Sequence, residues 1–298
     1  MKIFQSVAAF FLAFCLGSAH AEALLKPFIL GSKGPGEVAA KAEEARKSLA
    51  SQGFVLVGSY SPYPDTTILV VTNDELRNNA AQSKMGGFGA MERVSVVKSG
   101  GEVQVSYINP VYMANAYRMK GDLQNVASKM QAALGRIEEF GAKGLSASDL
   151  REYHYMFGME YFTDPSTLAE YPSYNDAVKA VEAGLAAGRG GVTKVYRIDI
   201  PGKQETVFGV AMKGEGENKY MDDRYIMSEI DFRDLKSAAH LPYEMLVDGN
   251  KVYALYARFR IAIDFPDLSM MGSHSFMNIM KSPEAIRKAL TAAAGGKD

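Results

Sequence analysis

The sequence predicts an α/β protein of the α+β kind, made of two similar units that each carry a small, mostly antiparallel sheet covered by helices. Three observations support this prediction. Apolar, β-branched runs alternate with stretches of helical spacing. Two glycine-centred hairpins, at residues 96–107 and 246–256, can be aligned with each other. The order helix, strand, strand, hairpin, helix occurs twice, which predicts a duplicated unit whose copies pair as a pseudo-dimer.

The N-terminus has the three parts of a secretory signal peptide. Lys2 supplies the positive charge, residues 7–16 form an apolar run, and Ala19-His20-Ala21 provides the small residues that signal peptidase recognises. The run is shorter than the ~20 residues of a membrane helix. We expect cleavage after Ala21 and a periplasmic or secreted mature protein without a transmembrane segment.

The first half begins with a stretch of helical apolar spacing that ends before Gly53. Two β-branched runs follow, separated by the turn Tyr63-Pro64-Asp65. Residues 86–89 are glycine-rich, but they lack the following Lys-Ser/Thr of a phosphate-binding loop, so we expect a flexible loop. Asp122 is suited to cap a long amphipathic helix. The elements expected in order are a helix at 35–51, strands at 54–60 and 66–72, a short helix at 75–82, strands at 91–98 and 102–107, and a helix from 122 to 140.

The second half repeats this order. Ser173, with Asp176 three residues later, has the pattern of a helix cap, and the glycines at 188–191 end that helix. Turns are expected at Pro201-Gly202 and at Asp248-Gly249-Asn250. The elements expected in order are a helix from 173, strands at 194–200 and 206–212, a polar insertion at 213–239, strands at 242–247 and 251–263, and a last helix from 283.

These patterns divide the chain into a signal peptide (1–21), a first α/β unit (22–144), an aromatic-rich connector (145–172) and a second α/β unit (173–298). The chain has 33 basic and 34 acidic residues, and its net charge of −1 predicts no nucleic-acid partner. Its one cysteine, Cys15, lies in the signal peptide, so the mature protein has no disulfide and no thiol nucleophile. An apolar core must therefore stabilise it, and a hydrophobic content of 47% can supply one.

A motif in the first half resembles a known family. Val103-x-Val105-Ser106-Tyr107-x-Asn109-Pro110-x-Tyr112 is similar to the end of the domain-of-unknown-function 302 family, where a hairpin closes with such a run before a helix. Residues 68–73 resemble that family's central apolar strand, and the likeness covers residues 36–120. The second half matches less well, because Ser-Tyr-x-Asn-Pro does not recur after Tyr256. The resemblance implies a small α/β domain that tends to pair, so a homodimer is an open alternative, and it implies no established chemistry.

The connector contains a cluster of aromatic residues at 153–162. Eight of these ten residues are aromatic, His or Met. One interpretation is that their rings pack into the groove between the two units. The other is that they form the wall of a ligand pocket, since such pockets are mostly apolar and are often found at domain junctions. The ligand-binding candidates are Tyr153, His154, Tyr155, Phe157 and Tyr161.

A second cluster combines methionines with a histidine. If residues 270–280 form one helix, Met270, His274 and Met277 lie within about 60° of one another. Thioether and imidazole ligands suit cuprous copper, and they could also supply an axial ligand to haem, although the sequence has no Cys-x-x-Cys-His attachment motif. The alternative is that the methionines fill a core and that His274 is an ordinary surface residue.

No motif decides the function. The sequence contains neither the His-Glu-x-x-His of a metalloprotease nor the Gly-x-Ser-x-Gly of a nucleophile elbow. Three hypotheses remain open: a non-catalytic periplasmic binding or accessory protein with an unknown small-molecule or protein partner, a copper- or haem-handling protein, and an enzyme whose site is assembled from scattered residues. We favour the first, with the ligand at the junction of the two units.

Overall fold

The computed structural model describes residues 22–297, so the predicted signal peptide lies outside the described residues. The chain is mixed α/β, with two antiparallel sheets of six and five strands. This arrangement confirms the predicted fold class. Between residues 22 and 297, no helix is both long enough and apolar enough to span a membrane.

The first half forms the six-stranded sheet. Its β-branched run Thr66–Thr72 is largely buried, as expected for an interior strand that packs against its neighbours on both sides. The strands are β1 (Phe28–Gly34), β2 (Val55–Tyr60), β3 (Thr66–Thr72), β4 (Glu92–Ser99), β5 (Glu102–Ile108) and β6 (Glu138–Phe140). The helices are α1 (Val38–Ser51), α2 (Asp74–Gln82), α3 (Pro110–Ala116), α4 (Gln124–Leu134) and α5 (Ala147–Arg151).

The second half forms the five-stranded sheet. Its first helix begins as predicted, because the Ser173 hydroxyl accepts a hydrogen bond from the Asp176 N–H at 3.2 Å. The strands are β7 (Ser166–Glu170), β8 (Val192–Asp199), β9 (Glu205–Met212), β10 (Tyr243–Asp248) and β11 (Lys251–Ala254). The helices are α6 (Tyr174–Ala186), α7 (Asp223–Ile230), α8 (Ala257–Asp264) and α9 (Ser282–Ala294).

The two sheets have matching strand orders. The first is β2-β3-β4-β5-β1-β6 and the second is β8-β9-β10-β11-β7, so five strands follow the same connectivity in each, and β6 is added at the edge of the first. This connectivity agrees with the predicted repeat. A common origin of the two halves, and their pairing as a pseudo-dimer, stay predictions.

Two short 3-10 turns, Gly86–Gly89 and Ala238–His240, each pack on the sheet of the other half: the first on β9 and β10, the second on β4 and β5. The Gly87 N–H donates to Glu205 Oε1 at 2.6 Å. A Cβ at Gly87 would lie 2.5 Å from Leu246 Cδ1, so a larger residue at this position would force the Leu246 side chain to move. The expectation of a flexible loop at 86–89 is therefore wrong, because all four residues are buried between the sheets.

A network of charged side chains is buried where the halves meet. Arg93 Nη1 donates to Glu244 Oε1 at 2.6 Å, and Arg260 Nε donates to Glu244 Oε2 at 3.2 Å. Arg260 also forms an ion pair with Asp264, one helical turn further along α8. The side chains of these four residues are at most 4% exposed. We call Arg93, Glu244, Arg260, Asp264 and the adjoining His240 the buried charge network.

The helix expected up to Phe140 is shorter than predicted. Helix α4 is capped by Gly135, whose φ of +84° ends the helical path. The chain then forms β6, in which Phe140 pairs with Phe28 of β1. Strand β1 itself is missing from the sequence-based elements, because its apolar run of three residues is short and Gly31 follows it.

The strand expected at 251–263 is wrong in its second part. Strand β11 ends at Ala254, and helix α8 follows. Residues 258–261 alternate between charged and apolar side chains, which favours a strand with one solvated face. The structure does not place these charged side chains on one solvated face, because Arg260 is buried against Glu244.

Regular structure is also present in two segments for which no helix or strand was predicted. The polar stretch 213–239 contains helix α7, and the segment 145–172 contains helix α5 and strand β7. Because β7 pairs with β11, the second sheet includes residues that precede 173.

Candidate functional site

A cavity of about 280 Å³ opens between the end of β6, the segment that follows α7, and the segment that follows α8. It lies where the first half meets the second. Its apolar wall consists of Phe140, Ile230, Phe232, Leu235, Phe265 and Leu268. Its charged lining consists of Asp231, Arg233, Asp234 and Asp267. We call this cavity the junction cleft.

Aromatic rings form the floor and part of the rim of the junction cleft. Phe140 and Phe265 are buried and both pack on Phe28, with ring centroids 5.6 Å and 6.1 Å from it. Phe232 stands at the rim, 46% exposed, and stacks on His274 with the centroids 4.8 Å apart. The floor is therefore fixed by ring packing, while the rim presents an aromatic surface to solvent.

Two of the carboxylates are held by backbone N–H groups. Asp231 Oδ1 accepts from Ser237 N–H at 2.8 Å, and Asp267 Oδ2 accepts from Lys143 N–H at 2.8 Å. The second bond joins the two halves at the cleft. Burial raises the pKa of Asp231 to about 7, against the opposing effects of the Ser237 N–H and the nearby Lys236. Asp231 is thus a half-buried carboxyl that titrates near neutral pH.

The segment that carries these charges is fastened to the first sheet by Gln104 of β5. The Gln104 Nε2 group donates to Asp234 O at 2.8 Å, and Gln104 Oε1 accepts from Lys236 N–H at 2.9 Å. The Lys236 ammonium donates to the carbonyls of Asp231 and Arg233, at 3.2 Å and 2.7 Å. These four bonds fix the backbone beside the cleft before any ligand arrives.

Asp231 also borders a second cavity of about 360 Å³ on the other side of the same segment. That cavity is more open than the junction cleft and is lined by the β2–β3 turn and α7. Its charged lining is mixed, with Asp65 and Asp231 facing Lys98, Arg224 and Lys236. It therefore lacks the excess of carboxylates found in the junction cleft.

The predicted aromatic candidates do not line the junction cleft. Tyr153 donates to Ala262 O at 3.0 Å and packs on α8, while the rings of His154 and Tyr161 lie 4.5 Å apart. Phe157 is fully exposed. Tyr155 borders a small neighbouring cavity, which shares Phe265 and Leu268 with the junction cleft. None of these five candidates lines the cleft itself.

Residues 270–280 do not form the single helix that would place Met270, His274 and Met277 on one face. Residues 270–275 form bends, in which Gly272 has a φ of +105° and His274 a φ of +54°. The loop closes through a hydrogen bond from Met277 N–H to Met270 O at 3.2 Å, so Met270 and Met277 are neighbours across it. Met270 Sδ accepts from the Tyr155 hydroxyl at 2.5 Å. Metal binding by this loop stays a prediction. Within residues 22–297, no group of three or more His, Cys, Asp or Glu side chains could hold a metal ion.

A His–Asp pair that the sequence did not reveal lies in the buried charge network. His240 Nδ1 is 2.6 Å from Asp264 Oδ2, and His240 Nε2 is 3.0 Å from the Tyr243 hydroxyl. Burial and the nearby Arg260 lower the pKa of His240 to about 4, so the ring is neutral at pH 7. Both side chains of the pair are fully buried, which gives a substrate no surface to approach. The pair therefore joins the turn Ala238–His240 to α8 and has a structural role.

Comparisons with protein-family models, with curated proteins and with solved structures gave no match to this chain. The resemblance of residues 36–120 to the domain-of-unknown-function 302 family therefore stays a prediction. The junction cleft has to be interpreted from its own geometry.

Proposed function

We propose that the protein is exported and acts as a non-catalytic binding protein that holds a small ligand in the junction cleft. The observation that carries this proposal is the cleft's form. Its volume of about 280 Å³ is close to the lower end of small-molecule sites, and its lining is mostly apolar with a few charged groups. Its position between the two halves is typical of ligand sites.

The hydrogen bonds that hold the cleft in place favour ligand binding. Gln104 and Lys236 hold the backbone on which Asp231 and Asp234 stand. A site that is already ordered loses little conformational entropy when a ligand binds, which favours affinity. Asp231 and Asp267 accept backbone hydrogen bonds, a positioning role that suits recognition.

The experiment is native mass spectrometry of protein purified from its own periplasm. We expect a retained small molecule in the wild type that is released on denaturation. Leu235→Trp, which adds a large ring at a partly buried position of the cleft, should abolish retention. Ser228→Trp fills the second cavity and serves as the matched control, which should keep the ligand. A wild type without retained mass, or equal retention in both variants, would show that the cleft is not the ligand site.

A second candidate function, the handling of cuprous copper or haem, is favoured by one observation. The hydrogen bond from Met277 N–H to Met270 O brings two thioether residues together across a loop that also contains His274. Met270 and Met277 are 39% and 48% exposed, so a metal could reach both.

A further inference from the structure

The lining of the junction cleft has an excess of negative charge. Three carboxylates, Asp231, Asp234 and Asp267, face one guanidinium, that of Arg233. Arg233, Asp234 and Asp267 are exposed, whereas Asp231 is half-buried, so the most deeply placed charged group is a carboxylate. A cleft with carboxylates on low-dielectric walls concentrates cations and repels anions.

Half of the six apolar side chains in the cleft are aromatic. Phe140 and Phe265 form the floor, and Phe232 stands at the rim. The face of an aromatic ring carries partial negative charge and attracts ammonium groups, with an energy that increases when the cation is desolvated. Rings and carboxylates in one cavity therefore select for the same charge on a ligand, and the rings also accommodate an apolar body.

The carboxylates keep hydrogen-bonding capacity for a ligand. Asp231 accepts from Ser237 N–H with Oδ1, and Asp267 accepts from Lys143 N–H with Oδ2. An ionised carboxylate offers about four acceptor positions, so one such bond does not exhaust it. The backbone bonds fix the direction of each carboxylate while acceptor positions remain for the N–H groups of an amine.

We infer that the ligand of the junction cleft is an organic cation, in which a protonated amine or quaternary ammonium group is attached to an apolar or aromatic body. This inference rests on the proposed function, because it names the ligand class of that same site. The cationic group lies among the carboxylates, and the apolar body lies on the floor formed by Phe140 and Phe265.

The binding of such a cation should depend on pH through Asp231. Because the pKa of this carboxyl is raised to about 7, it gains its charge as the pH increases through neutrality. The charged or titratable groups around it are Lys236 on its own segment, Tyr63 on the β2–β3 turn and Arg224 on α7, with Asp234, Asp267 and Arg233 in the cleft.

Calorimetric titration with three matched probes tests the ligand class: 2-phenylethylamine, 2-phenylethanol and 3-phenylpropionate. At pH 8 we expect the amine to bind more tightly than the alcohol, and the carboxylate to bind least. Asp234→Asn should weaken amine binding by about fivefold, which corresponds to the ~1 kcal/mol upper value for an exposed ion pair. Asp65→Asn, an acidic residue of the second cavity, is the control and should leave the affinity unchanged.

Two results would overturn the inference. Equal or tighter binding of the alcohol or the carboxylate would show that charge is not selected, while the cleft would remain a ligand site. If the wild type retains a native ligand that Leu235→Trp loses, failure of all three probes to bind the wild type after that ligand has been removed would also reject the class. The proposed function fails separately, if Leu235→Trp does not change retention of the native ligand.

Discussion

Glu244 is the position at which a single substitution should destabilise the protein most clearly. Its carboxylate bridges Arg93 of β4 and Arg260 of α8, at 2.6 Å and 3.2 Å. Glu244→Gln keeps the size of the side chain and removes its charge. Two buried guanidinium groups would then have only Asp264 as their counter-charge within the network.

The expected loss is about 3–5 kcal/mol in the free energy of unfolding, the usual cost of removing one partner from a buried ion pair. This is a large part of the ~5–15 kcal/mol that stabilises a typical protein. For a chain of this size it corresponds to a decrease of about 10 °C in the melting temperature.

The assay is urea unfolding followed by circular dichroism, with Glu170→Gln as the control. Glu170 pairs with Lys251 at 3.7 Å on the surface, where both side chains are about half exposed. That substitution should cost less than about 1 kcal/mol. The double variant Arg93→Met/Glu244→Gln should lose less stability than the sum of its single variants, because it removes one of the stranded charges. A loss below about 1 kcal/mol for Glu244→Gln would refute the role assigned to the network.

Four further predictions concern other parts of the chain. Burial raises the pKa of Glu92 to about 8, so the contribution of this carboxyl to stability decreases as the pH rises from about 4.5 to 8. Glu92→Gln should therefore reduce the amount by which the urea midpoint falls between pH 5 and pH 8. Gln104→Leu removes two hydrogen bonds worth ~1 kcal/mol each, and hydrogen exchange should then become faster in the segment beside the cleft. A competition titration with a cuprous chelator should show copper binding by the wild type and none by His274→Ala/Met277→Leu; equal binding would mean that the loop is not a metal site. N-terminal sequencing of the periplasmic fraction should begin at Glu22, and an uncleaved N-terminus on cytoplasmic protein would contradict export.

Elements with strong local signals could be predicted from the sequence. Helix α6 begins at its Ser173 cap, and the glycine turn at 100–101 joins β4 to β5 as expected. In these elements, periodicity and turn chemistry agree with the tertiary structure. The prediction failed where a charged residue is buried. Arg260 has the pattern of a solvent-exposed strand position, but it lies in helix α8, where its ion pair with Glu244 of β10 allows it to be buried.

The junction cleft could not have been predicted in the same way. Its lining comes from residues 140–141, 230–237 and 265–268, which are far apart in the chain. Each segment alone has the composition of an ordinary loop or element end. The aromatic candidates at 153–162 attracted attention because they are contiguous, whereas a pocket depends on which segments the fold brings together.

The turns Gly86–Gly89 and Ala238–His240 each pack on the sheet of the opposite half. This reciprocal packing limits how the sequences of the two halves can change over evolution. Whether a substitution in either turn is tolerated depends on the sheet surface of the opposite half, which is formed by residues that are distant in sequence. Gly87, for example, is constrained by Glu205 and Leu246, more than a hundred positions away. Substitutions at these contacts in one half therefore require compensating substitutions in the other. We expect the two halves to evolve together.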